Sequence, residues 1–142
     1  MSNNSPGTTR IITFLPEALA DLRDLEDRFP TIAAEVLSQL KRVRQGTLRP
    51  RRLRDFSKTG NLSDCAKVNV LVDGAPEHRI VLRDVGDGRF VVVEVVAIDE
   101  RADDLVYLLA GVRLGRIVDP IRRSDIERRV ARVIAGRLNR NR

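Results

Sequence analysis

At 142 residues the chain is one domain with a modest core, and with 42% apolar but only 4% aromatic residues that core must be built from Leu, Val, Ile and Ala. A single cysteine, Cys65, and a single histidine, His78, exclude an internal disulfide and leave too few soft ligands for zinc, and no apolar run approaches the roughly eighteen residues of a membrane span. Lys and Arg outnumber Asp and Glu by 26 to 20, for a net charge of +6, so a soluble cytoplasmic protein that meets a polyanion is expected, with no cofactor and no metal.

In chain order, residues 1–9 are small and polar and are expected to be disordered. Arg10 to Phe14 is short and β-branched and reads as a strand. Pro16 suits the first turn of a helix, with Glu17 and Asp21 near its positive end and Leu19, Leu22 and Leu25 at helical spacing through Arg28. Pro30 restarts the chain, Thr31 is the expected cap, and Ile32, Val36, Leu40 and Val43 form the face of a second helix that Gly46 ends. Thr47 to Asp64 is basic and rich in turn residues, a loop with one extended piece around Leu53 to Phe56.

Three strand-like runs follow. In Ala66 to Asp73, Val68, Val70 and Val72 oppose Lys67, Asn69 and Leu71, so Lys67 points away from one apolar face. Arg79 to Val85 lies beyond the Gly74-Ala75-Pro76 turn. Phe90 to Ile98 lies beyond Gly86-Asp87-Gly88, and its near-continuous apolar character marks a central strand covered on both faces. Asp103 and Asp104 then open a helix with Leu105, Leu108, Leu109 and Val112 on one face and Tyr107 nearly opposite. Ser124 to Glu127 has capping-box spacing before a last helix with Ile126, Val130, Ile134 and Leu138 in a narrow stripe.

The charge is localised. Residues 41 to 58 hold Lys41, Arg42, Arg44, Arg49, Arg51, Arg52, Arg54 and Lys58 against Asp55 alone, and residues 113 to 142 hold ten arginines against Asp119, Asp125 and Glu127. Arginine forks onto phosphate in bidentate fashion, so these blocks read as an RNA-facing surface. The plainer alternative is a set of solvated helix faces. Cys65 and His78 admit a nucleophile pair in principle, but Cys65 reads as a small buried apolar residue.

From Leu62 to Arg116 one pattern carries more than composition does. Lys67 follows Asp64-Cys65-Ala66, Arg79 opens the next strand, Arg101 follows the last strand, and Tyr107 comes six residues later. With these residues the segment resembles the RelE/ParE superfamily of bacterial type II toxins, and within it the ribosome-dependent messenger-RNA endonucleases of the RelE branch. The resemblance implies an α+β fold over residues 10–118: an N-terminal strand, a helical hairpin, a three-stranded antiparallel meander and a closing helix. Residues 119–142 form a basic C-terminal helical extension beyond it.

The resemblance also implies roles. Lys67 matches the lysine that helps to activate the 2′-hydroxyl, Arg79 the arginine that neutralises the scissile phosphate, Arg101 the arginine at the leaving oxygen, and Tyr107 the tyrosine that orients or stacks on the nucleotide. Asn69 stands where the branch has a second lysine. Arg49, Arg51, Arg52, Arg54, Lys58, Asn69, Arg83, Arg113 and Arg116 are the expected RNA contacts. The implied partners are a cognate antitoxin, the ribosome and messenger RNA, with the C-terminal helix a candidate for pairing with a second copy. Two rivals stand beside this reading: a ParE-like toxin that binds DNA gyrase and cleaves nothing, and a catalytically degenerate module that binds RNA or protein.

Overall fold

Ile11 and Ile12 begin β1 (Ile11–Phe14), and Leu15 passes the backbone to α1 (Pro16–Arg28), whose first residue is a proline. A proline there sacrifices no helical hydrogen bond and its fixed φ is already helical. A computed structural model describes residues 10–56, 58–86 and 90–140, without the side chains of residues 56 and 138–140. Residues 1–9 and the tip of the turn at Asp87-Gly88 lie outside the described residues.

Phe29 is both the last cap of α1 and the first cap of α2 (Pro30–Gln45), so the helical hairpin turns on one residue. Thr31 therefore does not cap. Pro30 takes the first helical position, which leaves Thr31 inside the helix and without a capping bond. Gly46 ends α2 at φ 77° and its N–H donates to the Val43 carbonyl, as a left-handed C-terminal residue does.

The main sheet has the order β1-β7-β6-β5-β2. The strands β5 (Cys65–Val70), β6 (His78–Asp84) and β7 (Val92–Glu100) form the antiparallel meander, and β1 lies parallel to β7 on its far side. The run expected to be a loop with one extended piece around Leu53 to Phe56 has that piece at Asp55–Phe56 and two further short strands. Within it β2 (Arg51–Arg52) pairs with β5, while β3 (Asp55–Phe56) and β4 (Gly60–Asn61) form a separate small ladder. The physical reason is the edge of β5: its peptide groups need partners, and Leu53 N–H donates to the Cys65 carbonyl at 2.9 Å.

Both faces of the sheet are covered, as the apolar run in β7 predicts. Val68, Val70, Ile80, Leu82, Val93, Val95 and Ile98 pack on α1 and α2. Cys65, Val81, Val96 and Ala97 pack on α3 (Leu105–Arg113) through Leu105, Val106, Leu109 and Ala110. A register shift between Val81 and Leu82 leaves Val96 as an extra residue in β7. That bulge changes the phase of the strand, so Val95 and Ile98, three apart, face the same layer.

The final helix, α4 (Pro120–Arg140), starts four residues before the expected Ser124. Asp119 accepts from the Ile121 N–H at 3.0 Å, and Pro120 can open a helix for the same reason as Pro16. Ile126 and Val130 of the predicted stripe pack against α3, Ile134 is half exposed, and Leu138 lies outside the described side chains. The anchor further along is polar: Arg137, buried, grips Asp99 at 2.5 and 3.1 Å. The C-terminal helix thus packs on the body of the protein. Among the described residues no helix is long and apolar enough to cross a membrane.

Candidate active site

The sheet face carrying Lys67 and Arg79 runs out from under α3, and there a cleft of about 370 Å³ opens. Its walls hold Lys67 from β5, Arg79 from β6, Arg101 from the turn after β7 and Tyr107 from α3, together with Arg54, Lys58, Thr59 and Asp104 over a floor of Leu53 and Leu62. All four residues of the predicted catalytic set are therefore brought together from four separate elements. The size is that of a small-ligand pocket.

Arg79 is the most constrained of them. It is 13% exposed at its side chain, donates through Nη1 to the Tyr107 hydroxyl at 2.7 Å, and meets Glu77 Oε2 at 3.3 Å through Nη2. The Arg101 N–H donates to the Glu77 carbonyl at 2.9 Å, which ties the end of β7 to the start of β6. Asp104 spans the opposite wall, accepting from Arg101 at 3.3 Å and from Lys58 at 3.0 Å. Asp103 and Asp104 both have positive φ, 55° and 58°, in a short 3₁₀ turn (Ala102–Asp104), a left-handed conformation that a non-glycine residue adopts at some cost.

Lys67 faces this cationic wall, and among the described residues no carboxylate is bonded to it. Its Nζ donates to Asn69 Oδ1 at 3.4 Å. Partial burial, then the charges of Arg79 and Arg51, hold its ammonium below the usual lysine range, against a smaller opposing pull from Glu77.

Two glycines fix the far wall. A Cβ on Gly111 of α3 would lie 2.3 Å from the Thr59 carbonyl oxygen, and one on Gly60, where φ is +78°, would lie 2.2 Å from the Arg116 carbonyl oxygen. Only backbone without side chains allows the 58–61 segment to sit this close to the end of α3.

The other expected RNA contacts divide by position. Arg54 and Lys58 line the cleft. Arg52 borders it, with its guanidinium over the Phe90 ring at 4.9 Å from the centroid. Arg49, Arg51 and Asn69 line a neighbouring groove that shares Lys67. Arg83, Arg113 and Arg116 are not brought into either recess; each is held by a carboxylate. Arg83 meets Glu94 at 2.6 Å, Arg116 grips Asp64 at 2.8 Å through both terminal nitrogens, and Arg113 is clamped by Asp21 at 2.6 and 2.8 Å in the α1–α3 junction.

His78 points the other way. It alternates with Arg79 along β6, is fully buried, packs edge-on against Phe29, and its Nδ1 lies 2.8 Å from the Pro76 carbonyl oxygen. Cys65 is also fully buried, and desolvation followed by the nearby Asp64 charge pushes its thiol up to about 12, which keeps it a thiol rather than a nucleophilic thiolate. Thr59 and Leu62, which line the cleft, and Glu77, which supports Arg79 from behind it, are the site residues that sequence reasoning missed. No spacing signal marks them, because strand register and loop packing bring them there.

Neither protein-family models nor curated proteins give a match to this sequence. Among solved structures, a mutant of the Escherichia coli toxin RelE in the free state matches with a TM-score of 0.55 and 22% identity, over 78% of this chain and 99% of that one. The chain therefore has the RelE fold, as the resemblance of its Leu62–Arg116 segment implies.

Proposed function

We propose, from the premise that the chain has the RelE fold, that it is the toxin of a type II toxin–antitoxin pair and acts as a metal-independent, ribosome-dependent endonuclease on messenger RNA. The observation that carries this reading is the convergence of Lys67, Arg79, Arg101 and Tyr107 on one cleft with Arg54 and Lys58 at its rim. The chemistry is attack of a ribose 2′-oxygen on the adjoining phosphorus. The P–O5′ bond breaks, leaving a 2′,3′-cyclic phosphate and a 5′-hydroxyl.

Each residue has a task that fits its surroundings. Lys67, held below the usual lysine range, has an enlarged neutral fraction and takes the 2′-proton. Arg79, fixed on two sides by Tyr107 and Glu77, directs its charge at the phosphate as negative charge builds there. Arg101 lies across the cleft and serves the departing 5′-oxygen. Tyr107 accepts from Arg79, which leaves its own hydroxyl proton free for the nucleotide. The ribosome would present the strand, and a cognate antitoxin of acidic character would cover the basic cleft.

Asn69 favours a second reading. Its amide oxygen accepts from Lys67 where the RelE branch has another lysine, so the cleft holds one amine of this kind on that strand rather than two. A protein that arrests growth by binding gyrase, and cleaves nothing, accommodates that difference. Mapping new 5′ ends in messages after induction in a bacterium without antitoxin decides between them. Cuts within translated codons that vanish in a Lys67→Ala, Arg101→Ala variant support the nuclease; arrest with intact messages and damaged DNA supports the gyrase reading.

A further inference from the structure

Beside the cleft, on the other side of Lys67, a groove of about 180 Å³ is lined by Gln39, Arg42, Leu48, Arg49, Arg51, Val68 and Asn69 as well as Lys67. It lies where β2 begins only at Arg51, opposite Lys67, while β5 continues past Lys67 to Val70, so the edge of the sheet is open toward α2. We infer that this groove is a separate subsite that holds the sugar–phosphate backbone of the RNA strand flanking the cleft, and that it does so without reading sequence.

Three observations support the assignment, which rests on the reading of the cleft as an RNA site. Among the described residues the lining contains four cations and no carboxylate. Among the described residues Arg49 and Arg51 form no ion pair, and the Arg42 guanidinium bonds only to the neutral Gln39 at 3.2 Å, in contrast to Arg83, Arg113 and Arg116, each matched by its own acid. Their charge is unspent within the fold.

Second, Arg51 stands directly opposite Lys67 in the β2–β5 ladder. Like charges placed opposite each other destabilise a strand pair, and here the repulsion also helps to depress the Lys67 ammonium. A polyanion lying along the pair relieves that cost. Third, among the described residues the lining offers cations and two amides but no aromatic ring on which a base can stack. Such a surface tracks phosphates and tolerates any base. Because Lys67 belongs to both recesses, one strand can pass from the groove into the cleft without a break.

The test uses the full chain and a fluorescent single-stranded 2′-O-methyl oligoribonucleotide, which lacks the attacking hydroxyl and is not cleaved. Affinity is measured by anisotropy across a salt series. Arg42, Arg49 and Arg51 are all exposed, so their joint replacement by alanine should leave the fold intact, and the thermal melting temperature checks this. Each lost phosphate contact on a single strand lowers the salt slope by about 0.7, so the triple variant should lose roughly 2 from the slope, equally for oligonucleotides of different sequence. A charge-matched control, Arg123, Arg128 and Arg132 to alanine on exposed positions of α4, should keep the wild-type slope. Arginine-to-lysine replacement in the groove should largely retain it.

Equal losses in both triple variants would reduce the effect to net charge and overturn the inference, as would an unchanged slope in the groove variant. Displacement of the oligonucleotide by polyglutamate at matched charge concentration, abolished by the groove substitutions, would assign the surface to an acidic polypeptide and also overturn it. The nuclease reading fails separately, through uncut messages in cells, and that result leaves the groove's RNA binding as measured.

Discussion

Arg79 on β6 donates to the hydroxyl of Tyr107 on α3 at 2.7 Å, and this bond joins the sheet to the closing helix at the mouth of the cleft. It is the point at which two residues 28 positions apart in sequence become one unit. Removing the phenolic oxygen by Tyr107→Phe takes away a hydrogen bond to a charged group, worth about 1.5–3 kcal/mol, so message cleavage should fall by roughly ten- to a hundredfold. Arg79→Ala should cost more, on the order of 10²–10³. Primer extension on a translated message measures both. Full cleavage by Arg79→Ala would falsify the assigned role.

Lys67 has an ammonium held below the ordinary lysine value of 10.5 by burial and by Arg79 and Arg51. The chain has only three lysines, Lys41, Lys58 and Lys67, so ¹³C-methylated amines can be titrated one by one by NMR. Lys67 should titrate below the ordinary lysine value. The sign of the perturbations follows: Arg51→Ala removes a repelling charge and moves the Lys67 titration upward, and a bound oligonucleotide supplies negative charge and does the same. If cleavage depends on neutral Lys67, its rate rises with pH up to that titration, and the Arg51→Ala profile is displaced to higher pH.

Asp21 and Arg113 form a bidentate pair at 2.6 and 2.8 Å with side chains 11% and 13% exposed, and Asp21 also accepts from the Ile98 N–H at 2.9 Å. Removing one partner leaves the other charge buried. Arg113→Ala should therefore destabilise the protein by about 3–5 kcal/mol in urea unfolding. At salt and temperature where the variant remains folded, its affinity for the oligonucleotide should match wild type. A specific loss of binding would instead place Arg113 on the RNA surface.

Gly111 allows α3 to touch the Thr59 carbonyl. An alanine there meets backbone at 2.3 Å, which neither side can relieve by rotating a side chain. Gly111→Ala should cost about 1–3 kcal/mol of stability, shift the 58–61 wall, and lower cleavage beyond the loss of folded protein. Unchanged melting and activity would show that the wall adjusts freely.

Arg116 holds Asp64 below the usual carboxylate range, chiefly by its side-chain hydrogen bonds. An acid whose folded value is depressed contributes stability that is present above its unfolded value and is lost as pH falls through the folded one. Acid unfolding of Asp64→Asn should accordingly be shallower below the ordinary aspartate range than that of the unaltered chain. Parallel acid limbs would show that the pair adds nothing to stability.

The sequence by itself determined the succession of elements. Pro16 and Pro30 mark helix starts, Gly46 marks an end, and the valine-rich run after residue 90 can satisfy its surface only as an interior strand. These signals are local, arising from backbone freedom and burial within a few residues, and so they survive reading in one dimension. The order and spacing from Lys67 to Tyr107 could be read in the sequence as a resemblance, but the meeting of the four residues in one cleft could not.

What only the tertiary structure decided is which charges remain available. Arg51 and Arg113 look alike in sequence, but one stands opposite Lys67 at an open sheet edge and the other is clamped by Asp21, 92 residues away. The direction of β1, the bulge at Val96, the closure of the cleft wall through Gly60 and Gly111, and the capture of Asp99 by Arg137 all belong to the same class. Each depends on which distant atom arrives within about 3 Å, the range where hydrogen bonds and steric exclusion act, and chain order does not encode that distance.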